Sequence, residues 1–217
     1  MIRRRIILAL CIVVFAHITS AQEQYSEGDG MKTMFGSGNP KISGFGGPSI
    51  NFSSVDGDFA IFFGGKGGVI INNKVIFGLE GNQLITDISH KAERDRDLNF
   101  NYGGIFAGYI IDWQSRVHLT PSLMVGWGGI GKRRDYDYDS FEDYDNNWDE
   151  YWSEYFRISD HVLVIQPSLE LELNVFKILR VGLGVNYRIA SGIGSGVYSN
   201  DDLSSIGGVF SIKFGDF

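Results

Sequence analysis

A strict two-residue alternation of apolar and polar side chains, repeated along most of the chain, is the feature that most limits its fold. Val181, Leu183, Val185, Tyr187 and Ile189 alternate with Arg180, Gly182, Gly184, Asn186 and Arg188. Residues two apart share a face only when the backbone is extended. The same pattern sets Leu163, Ile165, Leu169, Leu171 and Leu173 against Gln166, Ser168, Glu170 and Glu172, and Val117, Leu119, Leu123, Val125 and Trp127 against His118, Thr120, Ser122 and Gly126. Each strand has one greasy face and one polar or small face. No stretch combines helical periodicity with caps, so the chain reads as all-β. Strands are expected at about 41–54, 58–71, 74–86, 98–110, 116–130, 159–175, 179–190 and 203–214.

The N-terminal residues have a different character. Arg3, Arg4 and Arg5 precede an apolar run from Ile6 to Phe15 and a small-residue site, Thr19-Ser20-Ala21. This is the pattern of a signal peptide, residues 1–21, cut after Ala21. The run is shorter than the roughly 20 residues a spanning helix needs, and no later stretch is long enough. Any membrane residence of the remainder must therefore rest on strands. The one cysteine, Cys11, lies inside the apolar run beside bulky Leu10 and is a poor lipidation site. The exported part then has neither thiol nor disulfide.

With 19 basic and 26 acidic residues the formal net charge is −7, and loss of the three arginines deepens it to −10. That balance argues against nucleic acid as a partner. Residues 22–40 are polar, small or glycine without periodicity and read as a flexible lead-in to a single domain, 41–217. The 29 glycines and 4 prolines exclude collagen-like and proline-rich disordered classes. Glycine within alternating segments points instead to curved strands.

The connections alternate in length. Those at Asn72-Asn73, Asp112 to Ser115 and Phe176 to Ile178 are short, whereas Asp87 to Asp97, Gly131 to Arg157 and Ser191 to Asp202 are long. Val55-Asp56-Gly57 is a short exception whose Asp-Gly pair suits a type I′ hairpin. In an up-and-down meander every second connection falls on the same side, so one rim carries short turns and the other long loops. Membrane-spanning barrels are built this way, with short periplasmic turns and longer outer loops. The segments Gly44-Phe45-Gly46-Gly47-Pro48 and Gly64-Gly65-Lys66-Gly67-Gly68, the Asn-Asn turn and the final Phe217 resemble small outer-membrane β-barrel proteins of Gram-negative bacteria. The likeness spans about residues 41–217 and implies an up-and-down antiparallel transmembrane β-barrel of about eight strands in the outer membrane. In such proteins the final aromatic usually shares the outward face of the last strand. Phe210, Ile212 and Phe214 share a face, but Phe217 falls one step out of register after Gly215-Asp216, and a bulge would be needed to restore it.

Alternation alone leaves the inside face undecided. A soluble, lipocalin-like ligand carrier would bury the greasy face. The loop asymmetry, the terminal aromatic and the glycines of the polar face favour lipid outside. The lumen would then receive Lys66, Glu80, Glu170, Glu172, Arg180, Arg188 and Lys213. In about eight strands these form either a charge-paired plug or the lining of a narrow ion path.

The stretch 131–157 is the most distinctive. After Lys132, Arg133 and Arg134 it is dense in acids and in aromatics, among them Tyr136, Tyr138, Tyr144, Trp148, Tyr151 and Trp152. Rigid rings with polar tips suit contact with an extracellular protein or glycan, or a place in an interfacial aromatic girdle. Asp135, Asp137 and Asp139 alternate as calcium ligands can, but Ser140 and Asn146 stand where an EF-hand needs glycine and glutamate. Gly65-Lys66 lacks the hydroxyl residue of a phosphate loop, and Gly126-x-Gly128-x-x-Gly131 leads into charged loop instead of helix. A rim hydrolase or acyltransferase would need a histidine base. His90 lies in a charged loop, His118 in the lumen near the periplasmic end, and His161 near the outer rim beside Ser159 and Asp160, of which the adjacent Asp160 points to the opposite face and cannot orient it. The reading is a non-enzymatic, structural or surface-interaction barrel, monomeric, without cofactor, in contact with outer-membrane lipid.

Overall fold

The computed structural model describes residues 40–88, 97–133, 158–194 and 198–217. Eight strands, β1 (Ile42–Val55), β2 (Asp58–Ile71), β3 (Val75–Leu84), β4 (Asp97–Tyr109), β5 (Val117–Arg133), β6 (Ile158–Phe176), β7 (Leu179–Ser191) and β8 (Ser205–Gly215), form a closed barrel in sequence order. Every neighbouring pair is antiparallel, and β1 pairs with β8 to close the sheet.

Strand bounds differ from expectation by more than one residue at three places. β3 stops at Leu84 because the next residues bend: Ile85 N–H still reaches Ile61 O at 2.9 Å, and Thr86 Oγ1 accepts from Ile61 N–H at 2.8 Å, while Ile88 turns inward and is buried. β5 runs on to Arg133, past a register shift at Ile130/Gly131. β8 begins at Ser205 because a single helical turn, α1 (Asn200–Leu203), precedes it, with Ser199 and Asp202 making a reciprocal capping box. One turn leaves no periodicity to detect, and the aspartate is shorter than the glutamate or glutamine usual in that motif.

The hairpins have the predicted chemistry. Asp56 (φ 53°) and Gly57 (φ 83°) lie in the left-handed region, as do Asn72 (φ 52°) and Asn73 (φ 59°), the signature of type I′ turns that match strand twist. The strand ends that flank 72–74, 110–116 and 177–178 share one rim; those that flank 85–96, 134–157 and 192–204 share the other with the tight 56–57 hairpin. Two prolines sit where a ladder lapses: Pro48 between the β1–β8 pairs of Gly46 and Ser49, Pro167 between the β6–β7 pairs of Ile165 and Ser168. Lacking an N–H, proline is tolerated in a strand only at such gaps.

Orientation is unambiguous. Trp127 is 70 % exposed, Leu183 67 % and Ile206 71 %, whereas Arg188 and Glu170 are each 1 % exposed. The greasy face is outside, the reverse of a soluble carrier. In water this exterior would be an apolar patch far larger than soluble proteins tolerate; in hydrocarbon it is the surface a transmembrane barrel needs. Phe210 and Phe214 are exposed on it with Ile212 beside them, but Phe217 is not restored to that face. It turns inward, its ring centroid 6.5 Å from that of Phe45 and 4.0 Å from the Arg180 guanidinium carbon.

Facing glycines let β4 and β5 approach closely. A Cβ on Gly104 would lie 2.2 Å from Val125 O, and one on Gly126 would lie 2.1 Å from Gly103 O. Gly126→Val is therefore expected to lose about 1–3 kcal/mol of stability or to prevent closure. Gly81→Ala, at an outward position with nothing within 4 Å, is expected to be near neutral. Urea unfolding followed by the heat-dependent gel shift of the barrel separates the two outcomes.

Candidate functional site

The inward face is divided along its length. Towards the long-loop rim it is aromatic and aliphatic: Phe62, Phe100 and Tyr102 meet with ring centroids 5.3–5.7 Å apart, and Val162, Val164 and Leu203 pack in the same buried cluster. The sequence pattern concealed this layer because parity reverses there. At the outer end of β4 the outward positions Asn99 and Asn101 are polar and the inward Phe100 and Tyr102 are aromatic, as suits a strand rising out of hydrocarbon into its loop.

Below this layer lie two connected polar sets. In the first, Glu170 pairs with Lys66, with Lys213 (3.3 Å) and, through Ser211 Oγ, at 2.7 Å. Glu172 pairs with Lys213, with Arg180 (3.6 Å) and with His118 Nε2 (3.1 Å). The second set starts at Asn186, whose amide donates to Asn51 Oδ1 at 2.7 Å; Asn51 donates to Asn82 Oδ1 at 2.7 Å, and Asn82 to Glu80 Oε1 at 3.1 Å. Glu80 Oε1 also accepts from Gln166 Nε2 at 3.2 Å, and Gln166 Oε1 from Tyr102 O–H at 2.9 Å. Glu80 stands opposite Lys66 in the β2–β3 register. Together the two sets draw a side chain from each of the eight strands.

Six of the seven expected lumen charges lie in these sets: Lys66, Glu80, Glu170, Glu172, Arg180 and Lys213. Their formal charges cancel. Arg188 sits apart in the aromatic layer. Its Nε donates to Leu203 O at 2.7 Å, Nη2 to Ser54 O at 2.9 Å and Nη1 to Ser53 Oγ at 3.2 Å, with its guanidinium 4.4 Å above the Phe62 ring and 5.4 Å from that of Phe100. Carbonyls and ring faces hold it where the sequence suggested a carboxylate. Sequence reasoning missed the uncharged members, Asn51, Asn82, Gln166, Asn186 and Ser211, because it counted formal charges; their place on the polar parity of each strand was the available signal.

Of the histidines, His118 is buried against Glu172, and His161 is exposed on the outward face of β6. His90 lies outside the described residues. So do the loop aromatics Tyr136, Tyr138, Tyr144, Trp148, Tyr151 and Trp152 and the calcium candidates Asp135, Asp137 and Asp139.

Buried charges set the expected response to mutation. Glu170→Leu leaves Lys66 and Lys213 without a shared partner and is expected to cost about 3–5 kcal/mol, while the double change Lys66→Met/Glu170→Leu recovers most of that loss. A double-mutant cycle by urea unfolding in lipid measures both.

No protein-family model and no curated protein matches the chain. Solved structures do. Neisserial surface protein A is 13% identical, with 83% of this chain and 100% of that one covered and a TM-score of 0.55. Ail, the attachment invasion locus protein of Yersinia pestis, is 14% identical over 80% of this chain and 97% of its own, at 0.46. The N-terminal β-barrel domain of Pseudomonas aeruginosa OprF is 9% identical over 82% and 99%, at 0.47. The fold is that of the small eight-stranded outer-membrane barrels of Gram-negative bacteria.

Proposed function

We propose that this protein is a closed outer-membrane barrel that anchors a binding surface outside the cell, with the acidic, aromatic-rich connection 131–157 as the element that meets an extracellular protein or glycan. The observation that carries the reading is the filled interior. Phe62, Phe100 and Tyr102 surround Arg188, Leu203 folds into the same layer, and charge-paired side chains occupy the space below. An eight-stranded lumen is just wide enough to be filled by side chains. A barrel so filled offers its rims as places to act.

Residues 1–21 supply the export signal on this reading, and the short-turn rim faces the periplasm. The long-loop rim then faces outward. Within 131–157 the tyrosines and tryptophans provide large contact area at small entropic cost, and the acids select a basic or cation-bridged partner.

Two measurements test the reading. Purified protein in a planar bilayer is expected to give no discrete conductance; regular ion-selective steps would favour the narrow pore. Deletion of 135–154 is expected to leave the heat-dependent gel shift intact while abolishing adhesion of expressing cells to extracellular-matrix proteins and glycans. Adhesion unchanged by the deletion would sink the loop assignment.

A further inference from the structure

We propose that the short-turn rim is a binding surface for anionic phospholipid headgroups, formed by Lys41, Lys74, Arg116 and Lys177. The inference rests on the reading of the chain as an outer-membrane barrel and adds a lipid partner to it. Lys41 leads into β1, and the β2–β3, β4–β5 and β6–β7 connections carry Lys74, Arg116 and Lys177, so each has one cation. All four side chains are exposed.

Their backbones are fixed. In every case the carbonyl of the basic residue accepts a hydrogen bond from the next part of the rim: Lys41 O from Asn72 N–H (2.8 Å), Lys74 O from Ile110 N–H (2.7 Å), Arg116 O from Asn174 N–H (2.8 Å) and Lys177 O from Phe217 N–H (3.3 Å). Lys41 N–H also donates to Asn72 Oδ1 at 3.0 Å. The cations are thus spaced around the rim by the same bonds that tie its turns together, and only their side chains are free to reach.

What they reach is set by their neighbours. Exposed Ile42 follows Lys41, exposed Val117 follows Arg116, and exposed Phe176 and Ile178 flank Lys177; Phe77 and Tyr109 are exposed on the strands beside Lys74. Each cation therefore stands at the lower edge of the apolar exterior. From there a long basic side chain lays its methylenes along hydrocarbon and its charge among phosphates. Acids at this rim, among the described residues, are Asp112 and Asp216, and Asp112 accepts from Ser115 Oγ. Even with a carboxylate at Phe217 the cations outnumber them. Among the described residues the opposite rim is acidic, with Asp56, Asp58, Asp87, Asp201 and Asp202 against Lys132 and Arg133 at the end of β5. The barrel is polarised, its basic end at the leaflet that faces the periplasm.

A zwitterionic headgroup offsets its own phosphate, whereas phosphatidylglycerol does not. A basic side chain near an anionic surface favours it roughly fivefold per cation at low salt, an effect that fades as the screening length shortens. The test reconstitutes the full barrel in equimolar phosphatidylcholine and phosphatidylglycerol and measures, by spin-labelled lipid electron paramagnetic resonance, which headgroup the protein holds at its perimeter. The parent is expected to prefer phosphatidylglycerol several-fold, with the preference falling as salt is raised. The variant Lys41→Gln/Lys74→Gln/Arg116→Gln/Lys177→Gln is expected to lose it, and the charge-keeping variant Lys41→Arg/Lys74→Arg/Arg116→Lys/Lys177→Arg to retain it. Equal retention of the two lipids by the parent, or a preference indifferent to salt, overturns the surface even if the glutamine variant does not fold. So does a heat-shifting glutamine variant with the parent's preference. A parent that shows no heat-dependent gel shift in either lipid sinks the barrel reading itself, an outcome distinct from failure of the rim.

Discussion

Closure of the β1–β8 seam is the constraint on which everything else in this structure depends. Inside a bilayer no water is present to satisfy an exposed N–H or carbonyl, so a sheet spans hydrocarbon only when its first and last strands bond to each other. Here it is met by eight strands in sequence order, each antiparallel to its neighbours, which places strand ends and turns at two rims. It also explains the treatment of proline: Pro48 and Pro167 fall at lapses in the ladder, where a missing donor breaks no strand pair.

Closing so few strands creates an interior that must be filled without water-sized defects. Where backbones crowd, the inward position is glycine, as at Gly104 and Gly126, since a Cβ on either would overlap the neighbouring carbonyl. Where space remains, the filling is graded. Aromatic rings and aliphatic chains occupy the outer half, paired ions and amides the part below, and Phe45, Ile70, Ile76, Phe106 and Ile110 fill the short-turn end. The buried ions are tolerable because Glu170 and Glu172 each meet more than one cation or donor; unpaired, any one of them would carry a large desolvation penalty. Arg188 shows the other solution, a cation held by carbonyls and ring faces. A lumen filled in this way moves the functional question from the bore to the rims, which differ in loop length and, among the described residues, in the sign of their charge.

Much of the barrel could be read from residue parity. The alternation of Val181 to Ile189 against Arg180 to Arg188 required an extended strand, and the Asp56-Gly57 and Asn72-Asn73 pairs required tight hairpins, because these are local preferences of backbone and side chain. Parity failed where locality failed. Phe100 and Tyr102 point inward although they are greasy, because the end of β4 leaves the hydrocarbon; Phe217 turns onto Arg180 and Phe45 because the lumen mouth offers it a cation and a ring. α1 was invisible because four residues are too few to establish a period.

By itself, the sequence determined that the chain is a set of two-faced strands joined by alternately short and long connections. Only the tertiary structure decided which inward groups meet. Lys66 reaches Glu170 across 104 positions of chain, and Asn51 reaches Asn186 across 135. Neither pairing follows from period or propensity, because closure of the sheet, with its particular stagger between strands, sets which side chains share a level in the lumen.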